Sequence, residues 1–324
     1  MALVKLEEVK HASGREYLIV DKNKKDLGHL FILDSDQRRK SVLLRLRLLR
    51  GAGDEELTEL LTKIYAAFTK RGRIFKISIL TQEGINTRPF TRLGFKLEGV
   101  LQENIYWDSE IQDEYIFGVT TVQFYSSKKV KMVEVQGERI DLRLAGPEDA
   151  PSYLEYYLKN KDFLAAFEPY KPDRFFTLEG QKQELTERFM QYFNGNTINF
   201  GIYLKDKLIG KIRISNIILG SFRSATVGYA LSKDQLNEGY MSEALGLVCH
   251  YVFKDLELHR LEASTLVDNT PSQRVLENNG FKLLGLNPKY LQINGMWQDH
   301  YTYYLVKEDW EIFMRIPRRR VILR

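Results

Sequence analysis

Two short segments in the second half of the chain carry residue types that could do chemistry. The first, LNEGYMS at 236–242, places a glycine directly before a helical pattern of apolar residues. The free N–H groups and the dipole of a helix start attract anions. The second, DNTPSQR at 268–274, sets Asn269 and Ser272 at another helix start, where such side chains cap the first turn. The pattern predicts an anion cradle and a pair of polar side chains at one mouth of a sheet.

The composition excludes several other classes of protein. The 324 residues are 44% hydrophobic and 28% charged, which is typical of a globular chain of two domains. The single cysteine, Cys249, allows no intrachain disulfide, and the five scattered histidines indicate no metal site. The chain has neither an apolar run of ~20 residues nor a signal-peptide core, so we expect a cytoplasmic protein without a membrane partner.

The net charge of +5 is partly local, because RIPRRRVILR at the C-terminus holds five arginines and no acid. Such a segment attracts phosphate groups without sequence specificity. The chain shows no zinc-finger spacing and no aromatic RNA-binding signature. We therefore expect no dedicated nucleic-acid module, and the charge by itself identifies no partner.

An internal repeat organises the chain. The segment RLGFKLEGV at 92–100 reappears as NNGFKLLGL at 278–286, a shift of 186 residues. At that shift 11 of the 47 positions from Gly53 to Gly99 are identical, whereas unrelated sequences share about three. Asp113 falls on Asp299, which favours a structural hydrogen-bond role for both. The repeat predicts two copies of one α/β unit.

The second copy alternates strand and helix patterns. Apolar residues three and four apart predict a helix at 240–256, and a short helix follows Asn269. Asn294-Gly295 predicts a type I′ hairpin turn between two longer strands. The other predicted strands lie at 198–204, 207–215, 225–231 and 259–267.

The first copy repeats this run from a strand at 17–21 to a hairpin turn near Asp108-Ser109. It lacks the elements that lead the second copy, which are a strand at 139–144 and helices at 147–160 and 178–194. The sequence thus predicts an α/β (α+β) fold made of two tandem mixed sheets flanked by helices, the first of them truncated.

Four motifs of the second copy resemble the GNAT acyltransferase superfamily, and within it the RimJ/RimL-type ribosomal-protein N-terminal acetyltransferases: NEGYMSEAL, EASTLVDNTPSQRVLENNGF, INGMWQDH and EDW. The resemblance implies GNAT-like sheets and the acetylation of an amine by acetyl-CoA. It also suggests a division of the chain. We expect a truncated, degenerate GNAT-like domain at 1–127, a linker at 128–136, a catalytic domain at 137–310 and a basic tail at 311–324.

The resemblance also assigns roles to residues. Asn269 would hold the pantetheine arm, and Ser272 would protonate or solvate the departing coenzyme A thiolate. Leu276 stands where many members have a tyrosine, which leaves Ser272 as the candidate acid. A backbone N–H of the strand 227–231 would hold the oxyanion. Glu168, between the two leading helices, is the candidate general base. The residues implied in binding coenzyme A are Tyr229, Ala230, Leu231, Leu236, Asn237, Glu238, Gly239, Tyr240, Met241, Ser242, Asn269 and Ser272.

Some of these positions have a plainer interpretation. Leu236 and Met241 depart from the superfamily pattern Q/R-x-x-G-x-G/A, although Gly239 keeps its glycine. Asn269 and Ser272 are also explained by helix capping alone, and Glu168 by a solvated loop carboxylate.

The first copy has lost the residues of the second motif. The shift places Glu83 on Asn269 and Asn86 on Ser272. This favours a non-catalytic first copy.

The acceptor stays open at this stage. It is the N-terminal α-amine of a protein, ribosomal by resemblance, or a small amine such as a polyamine, aminoglycoside or amino-acid derivative. A non-catalytic acyl-CoA-binding module is the third alternative. An α-amine of pKa 7.7–8.0 is about 10–20% neutral at pH 7, which favours it where no strong base is evident. The leading helices carry both acids and lysines, so their charge does not decide between acceptors.

Overall fold

The computed structural model describes residues 3–9, 15–36, 38–49, 52–69, 74–107, 110–127 and 134–315. The chain divides into two units, residues 1–132 with 146–148 and residues 133–145 with 149–324. Three predicted features lie outside the described residues. They are the Asp108-Ser109 turn, the linker residues 128–133 and the basic tail from residue 316 on.

The described part of the first unit forms one sheet and three helices. Its sheet order is β1-β2-β3-β4-β5-β7-β6, in which β4 and β5 are parallel and the other neighbours antiparallel. The elements are β1 (Val4–Glu8), β2 (Glu16–Asp21), β3 (Asp26–Asp36), β4 (Ser41–Leu48), α1 (Asp54–Thr69), β5 (Lys76–Gln82), α2 (Arg88–Arg92), β6 (Lys96–Trp107), β7 (Glu110–Thr120) and α3 (Thr121–Ser127).

The second unit forms a longer sheet of the same kind, with the order β14-β15-β13-β12-β11-β10-β9-β8. Only β12 and β13 are parallel neighbours. Its elements are β8 (Glu134–Gln136), β9 (Asp141–Leu144), α4 (Ala150–Ala165), α5 (Leu178–Phe193), β10 (Ile198–Leu204), β11 (Lys207–Ile218), β12 (Ser224–Leu231), α6 (Tyr240–His250), β13 (Arg260–Leu266), α7 (Thr270–Asn278), β14 (Lys282–Ile293), β15 (Met296–Val306) and α8 (Lys307–Met314).

The two sheets confirm the predicted fold class, two mixed sheets flanked by helices. From β2 to β6 the first unit follows the strand order of β10 to β14 in the second. One detail of the prediction is wrong: β1 pairs with β2 at the sheet position that β9 takes beside β10, so a strand is present there. The two leading helices and the short edge strand β8 have no counterpart in the described part of the first unit.

Local sequence signals account for the elements near the site. Asn294 and Gly295 have φ values of 50° and 76°, as the predicted type I′ turn requires. The predicted helix at 240–256 is α6, followed by a π-helical turn at Tyr251–Asp255. Asp299 accepts a hydrogen bond from Lys289 N at 2.7 Å. Asp113 accepts the equivalent bond from Glu103 N at 2.8 Å, so the repeated aspartate has the structural role that the repeat predicts.

Within the described ranges, no helix combines the length and the apolar character needed to cross a bilayer. The same residues contain no group of three or more His, Cys, Asp or Glu side chains arranged to hold a metal ion. Cys249 is buried on α6, where burial raises the pKa of its thiol.

Candidate active site

The sheet of the second unit splits between its two parallel strands. β12 and β13 pair only over their first residues, Ser224–Thr226 with Arg260–Glu262. Beyond that point β12 remains paired with β11, and β13 with β15. From Val227 onward the edge of β12 that faces β13 therefore has backbone N–H and C=O groups without a strand partner. Such groups need another partner, and a ligand entering the split can supply it.

The loop after β12 has the geometry of the predicted anion cradle. Asn237 and Gly239 are left-handed, with φ values of 66° and 82°. α6 begins at Tyr240, and the N–H groups of its first turn have no acceptor within the helix. Leu236 to Gly239 are exposed, so these donors border solvent. The combination of a glycine, a left-handed turn and a helix start attracts a phosphate group.

An arginine from another part of the chain reaches this loop. Arg139 Nη1 donates to Glu238 O at 2.9 Å, and its guanidinium lies 4.9 Å from the ring centre of Tyr240. Its Nε donates to Glu243 Oε2 at 2.8 Å, and its backbone N donates to Oε1 at 2.8 Å. Arg139 therefore pairs with the carboxylate of Glu243 in the first turn of α6 and places a guanidinium group beside the cradle. No local sequence pattern indicates this role for Arg139.

Ser272 lies at the start of α7 in contact with β12. Asn269 Oδ1 accepts a hydrogen bond from Ser272 N at 3.2 Å, which is the capping interaction that the sequence predicts. Tyr229 Oη donates to Ser272 O at 3.2 Å and lies 3.1 Å from Ser272 Oγ. Burial raises the pKa of Tyr229, so its hydroxyl stays protonated and acts as a hydrogen-bond donor. From the sequence, Tyr229 belongs to the site only as part of its strand, and no pattern there indicates a role for its hydroxyl.

Other residues of the predicted coenzyme A set lie in the core. Met241 and Leu231 are buried, so their side chains contribute packing. Leu276, where many family members have a tyrosine, is 1% exposed on α7. Its burial leaves Ser272 and Tyr229 as the hydroxyl groups that α7 and β12 bring together.

Glu168 lines a cavity of about 150 Å³ on the α4 side of the sheet. Its carboxylate lies 2.8 Å from Lys211 Nζ and 3.7 Å from Lys171 Nζ. Burial raises the pKa of Glu168, but the charges of Lys211 and Lys171 outweigh burial and leave that pKa below its usual value. Lys211 pairs in register with Ala230 of β12, next to the split. The structure thus places Glu168 one strand away from the open part of β12.

Comparisons with known proteins identify the class of protein to which this site belongs. Residues 139–282 match a family model described as an acetyltransferase (GNAT) domain. A probable N-acetyltransferase of Bacillus subtilis, YjcK, is 36% identical over 177 residues, which are 54% of this chain and 98% of that protein. The [ribosomal protein uS5]-alanine N-acetyltransferase of Escherichia coli is 30% identical over 183 residues, covering 56% of this chain and 94% of that protein.

A solved structure adds to these matches. Mycobacterium smegmatis RimJ in complex with CoA-disulfide shares 26% identity and a TM-score of 0.52, over 54% of this chain and 87% of that one. Together with the relatives, it defines an acyl-transferring enzyme of the ribosomal-protein N-acetyltransferase type. The chain belongs to the GNAT acetyltransferase family, and it is an N-acetyltransferase.

Proposed function

We propose that the second unit transfers the acetyl group of acetyl-CoA to the N-terminal α-amine of a protein, by direct attack in a ternary complex. The observation that carries this proposal is the split between β12 and β13, which has the α6 cradle and the Ser272–Tyr229 pair at its open end. The Escherichia coli relative that acts on a ribosomal-protein alanine supports the choice of acceptor. The RimJ complex with CoA-disulfide supports the choice of donor.

The residues of the site divide the chemistry between them. The cradle at Gly239, with Arg139 beside it, suits the diphosphate of coenzyme A. A free backbone N–H of β12 beyond Val227 can hold the oxyanion that forms when the amine attacks the thioester carbonyl. The C–N bond forms, the C–S bond breaks, and the hydroxyl of Ser272 protonates the departing thiolate. The Ser272 oxygen then regains the proton that the acylated amine nitrogen releases, so the products are the amide and the free thiol. Tyr229 holds Ser272 in place through both of its hydrogen bonds.

The attacking amine must lose a proton, and this requirement favours an α-amine as acceptor. Glu168 was the candidate base, but its two lysine partners stabilise the carboxylate and make it a weak base. An α-amine of pKa 7.7–8.0 needs little help at neutral pH, whereas a lysine side chain of pKa about 10.4 needs much more. We therefore propose that Glu168 anchors the surrounding lysines and that the neutral fraction of the α-amine reacts.

The test is acetyl-CoA-dependent thiol release with a panel of N-terminal peptides, N-blocked versions of the same peptides and small amines. We expect turnover on free peptides and none on their blocked versions. Turnover on small amines alone would move the acceptor to that class. Binding of acetyl-CoA without turnover on any amine would favour the binding module.

We further propose that the first unit does not bind coenzyme A, because its parallel strands do not separate. β4 and β5 pair continuously from Ser41–Lys76 to Leu46–Thr81. Under the 186-residue shift Lys76 corresponds to Glu262. The last residue pair between β12 and β13 therefore corresponds to the first of the six pairs between β4 and β5.

A side chain closes the first unit further. Gln82 Nε2 donates to Leu48 O at 2.9 Å, and Gln82 Oε1 accepts from Leu48 N at 3.1 Å. The amide thus joins the two strands at the point where the second unit is open. Asn86, at the position of Ser272, donates to Asp54 of α1.

Calorimetric titration of the full chain with acetyl-CoA is expected to give one site per chain. The variant Gly239→Val, altered only in the second unit, should leave no second site of comparable affinity. Two equivalent sites, or wild-type affinity remaining in Gly239→Val, would contradict a closed first unit.

A further inference from the structure

The cavity beside Glu168 is positively charged overall. Lys161 and Lys171 line it together with Glu168, and Lys211 contacts Glu168 from β11. Three ammonium groups and one carboxylate give a net charge of +2, which the neighbouring ion pair of Arg188 and Glu184 leaves unchanged. Among the described residues, Glu168 is the only carboxylate within 4 Å of any of the three lysines. The cavity therefore holds more positive charge than its own acids neutralise.

The two lining lysines are held in place by aromatic rings. Lys161 Nζ lies 4.3 Å from the ring centre of Phe176, and Lys171 Nζ lies 4.7 Å from that of Phe175. Cation–π contact fixes an ammonium group but leaves its N–H donors available. Lys161 has no carboxylate within 4 Å in the part of the chain that the structure describes, so its donors are open to a ligand.

The cavity also lies next to the strands that border the split. Ala230 packs against the aromatic cluster that contains Tyr157 and Phe175. Tyr157 lines the cavity and accepts a hydrogen bond from Lys211, the residue paired with Ala230. A group bound in the cavity is therefore one strand away from the open edge of β12.

We propose that this cavity binds a carboxylate that the acceptor carries close to its reacting amine. The inference rests on the proposed function, in that the acceptor amine reacts at the split of the same unit. Ammonium donors form strong, charge-assisted hydrogen bonds with carboxylates. A polyamine or aminoglycoside would meet like charge in the same cavity. The carboxylate is either an acidic side chain near the N-terminus of a peptide or the α-carboxylate of a free amino acid.

The test compares peptides that differ only in the charge of their second residue: Ser-Asp, Ser-Asn and Ser-Lys followed by one common sequence. We expect kcat/KM to be about 5- to 10-fold higher for the Asp peptide than for the Asn peptide. It should be lowest for the Lys peptide. Free serine and serinamide form a second pair. A preference for serine over serinamide, without a preference among the peptides, would assign the carboxylate to a free amino acid.

Variants test whether the cavity causes the preference for the Asp peptide. Lys161→Gln should bring the ratio of Asp to Asn peptide close to one, and Lys161→Glu should favour the Lys peptide. Lys207→Gln is the matched control, because it removes the same charge from an exposed position of β11 that does not line the cavity. It should leave the ratio unchanged.

The same peptides and the serine pair are also titrated calorimetrically in the presence of coenzyme A, so the charge preference is measured even without turnover. Acetyl transfer to no peptide would overturn the proposed function. Equal affinity for all three peptides, together with equal affinity for serine and serinamide, would overturn the carboxylate site. The same conclusion would follow from a preference that persists in Lys161→Glu.

Discussion

Replacing Ser272 with alanine is expected to lower kcat for acetyl transfer by about 100-fold, the lower range for loss of a general acid. The affinity for acetyl-CoA and the stability of the fold should change little. The backbone N and the hydroxyl of this serine have separate roles. Asn269 caps α7 through the backbone N of Ser272, which alanine keeps. The hydroxyl, which alanine loses, contacts Tyr229 at the open end of the split. Steady-state kinetics, acetyl-CoA titration and thermal unfolding measure the three quantities.

Tyr229→Phe serves as the companion variant. It removes the hydroxyl that holds Ser272 but keeps the ring in the sheet. If Tyr229 acts through Ser272, it lowers kcat in the wild-type background and has no further effect in Ser272→Ala. Independent, additive losses would show that the two hydroxyl groups do not work together. If the Ser272→Ala variant keeps full kcat, the serine has only a structural role at the start of α7.

Sequence signals within a few residues of each other predicted most of the fold. Asn294-Gly295 specifies its turn because only certain residues adopt two positive φ values in succession. Asp113 and Asp299 revealed a shared structural role because the repeat aligned them. The sequence repeat does not predict strand β1, because the sequence of β1 differs from that of β9 although the two strands take equivalent positions in their sheets.

The rest of the site depends on residues that are distant in the chain. Arg139 and Glu243 are separated by 104 positions, and no local pattern connects them. The positive cavity joins Lys161 and Lys171 to Lys211 of β11, while Glu168 is the one carboxylate among the described residues that line it. The composition of the helices therefore could not predict the charge of the cavity. The separation of β12 from β13 is likewise a property of the packed sheet, because both strands have ordinary strand sequences.

The left-handed glycine at the cradle leads to the second large effect. Gly239→Val is expected to raise the Kd for acetyl-CoA about 5- to 30-fold. A non-glycine residue in this conformation costs about 1–2 kcal/mol, and about 1.4 kcal/mol corresponds to tenfold in affinity. A Cβ at this position would also lie 3.3 Å from Arg139 Nη2, so the added side chain presses on the cation beside the cradle. Titration of the variant with acetyl-CoA measures the change.

Gly195→Val separates binding from strain. Gly195 follows α5 with a φ of 75° and has no atoms within 4 Å of an added Cβ, so it matches Gly239 in backbone conformation but lies away from the cradle. Both variants are expected to lose stability, because each places a β-branched residue in the left-handed region. Only Gly239→Val should lose affinity, since the free loop relaxes away from the cradle geometry and acetyl-CoA must restore it. Equal losses of affinity in the two variants would mean that strain acts through the whole unit and would remove Gly239 from the binding site.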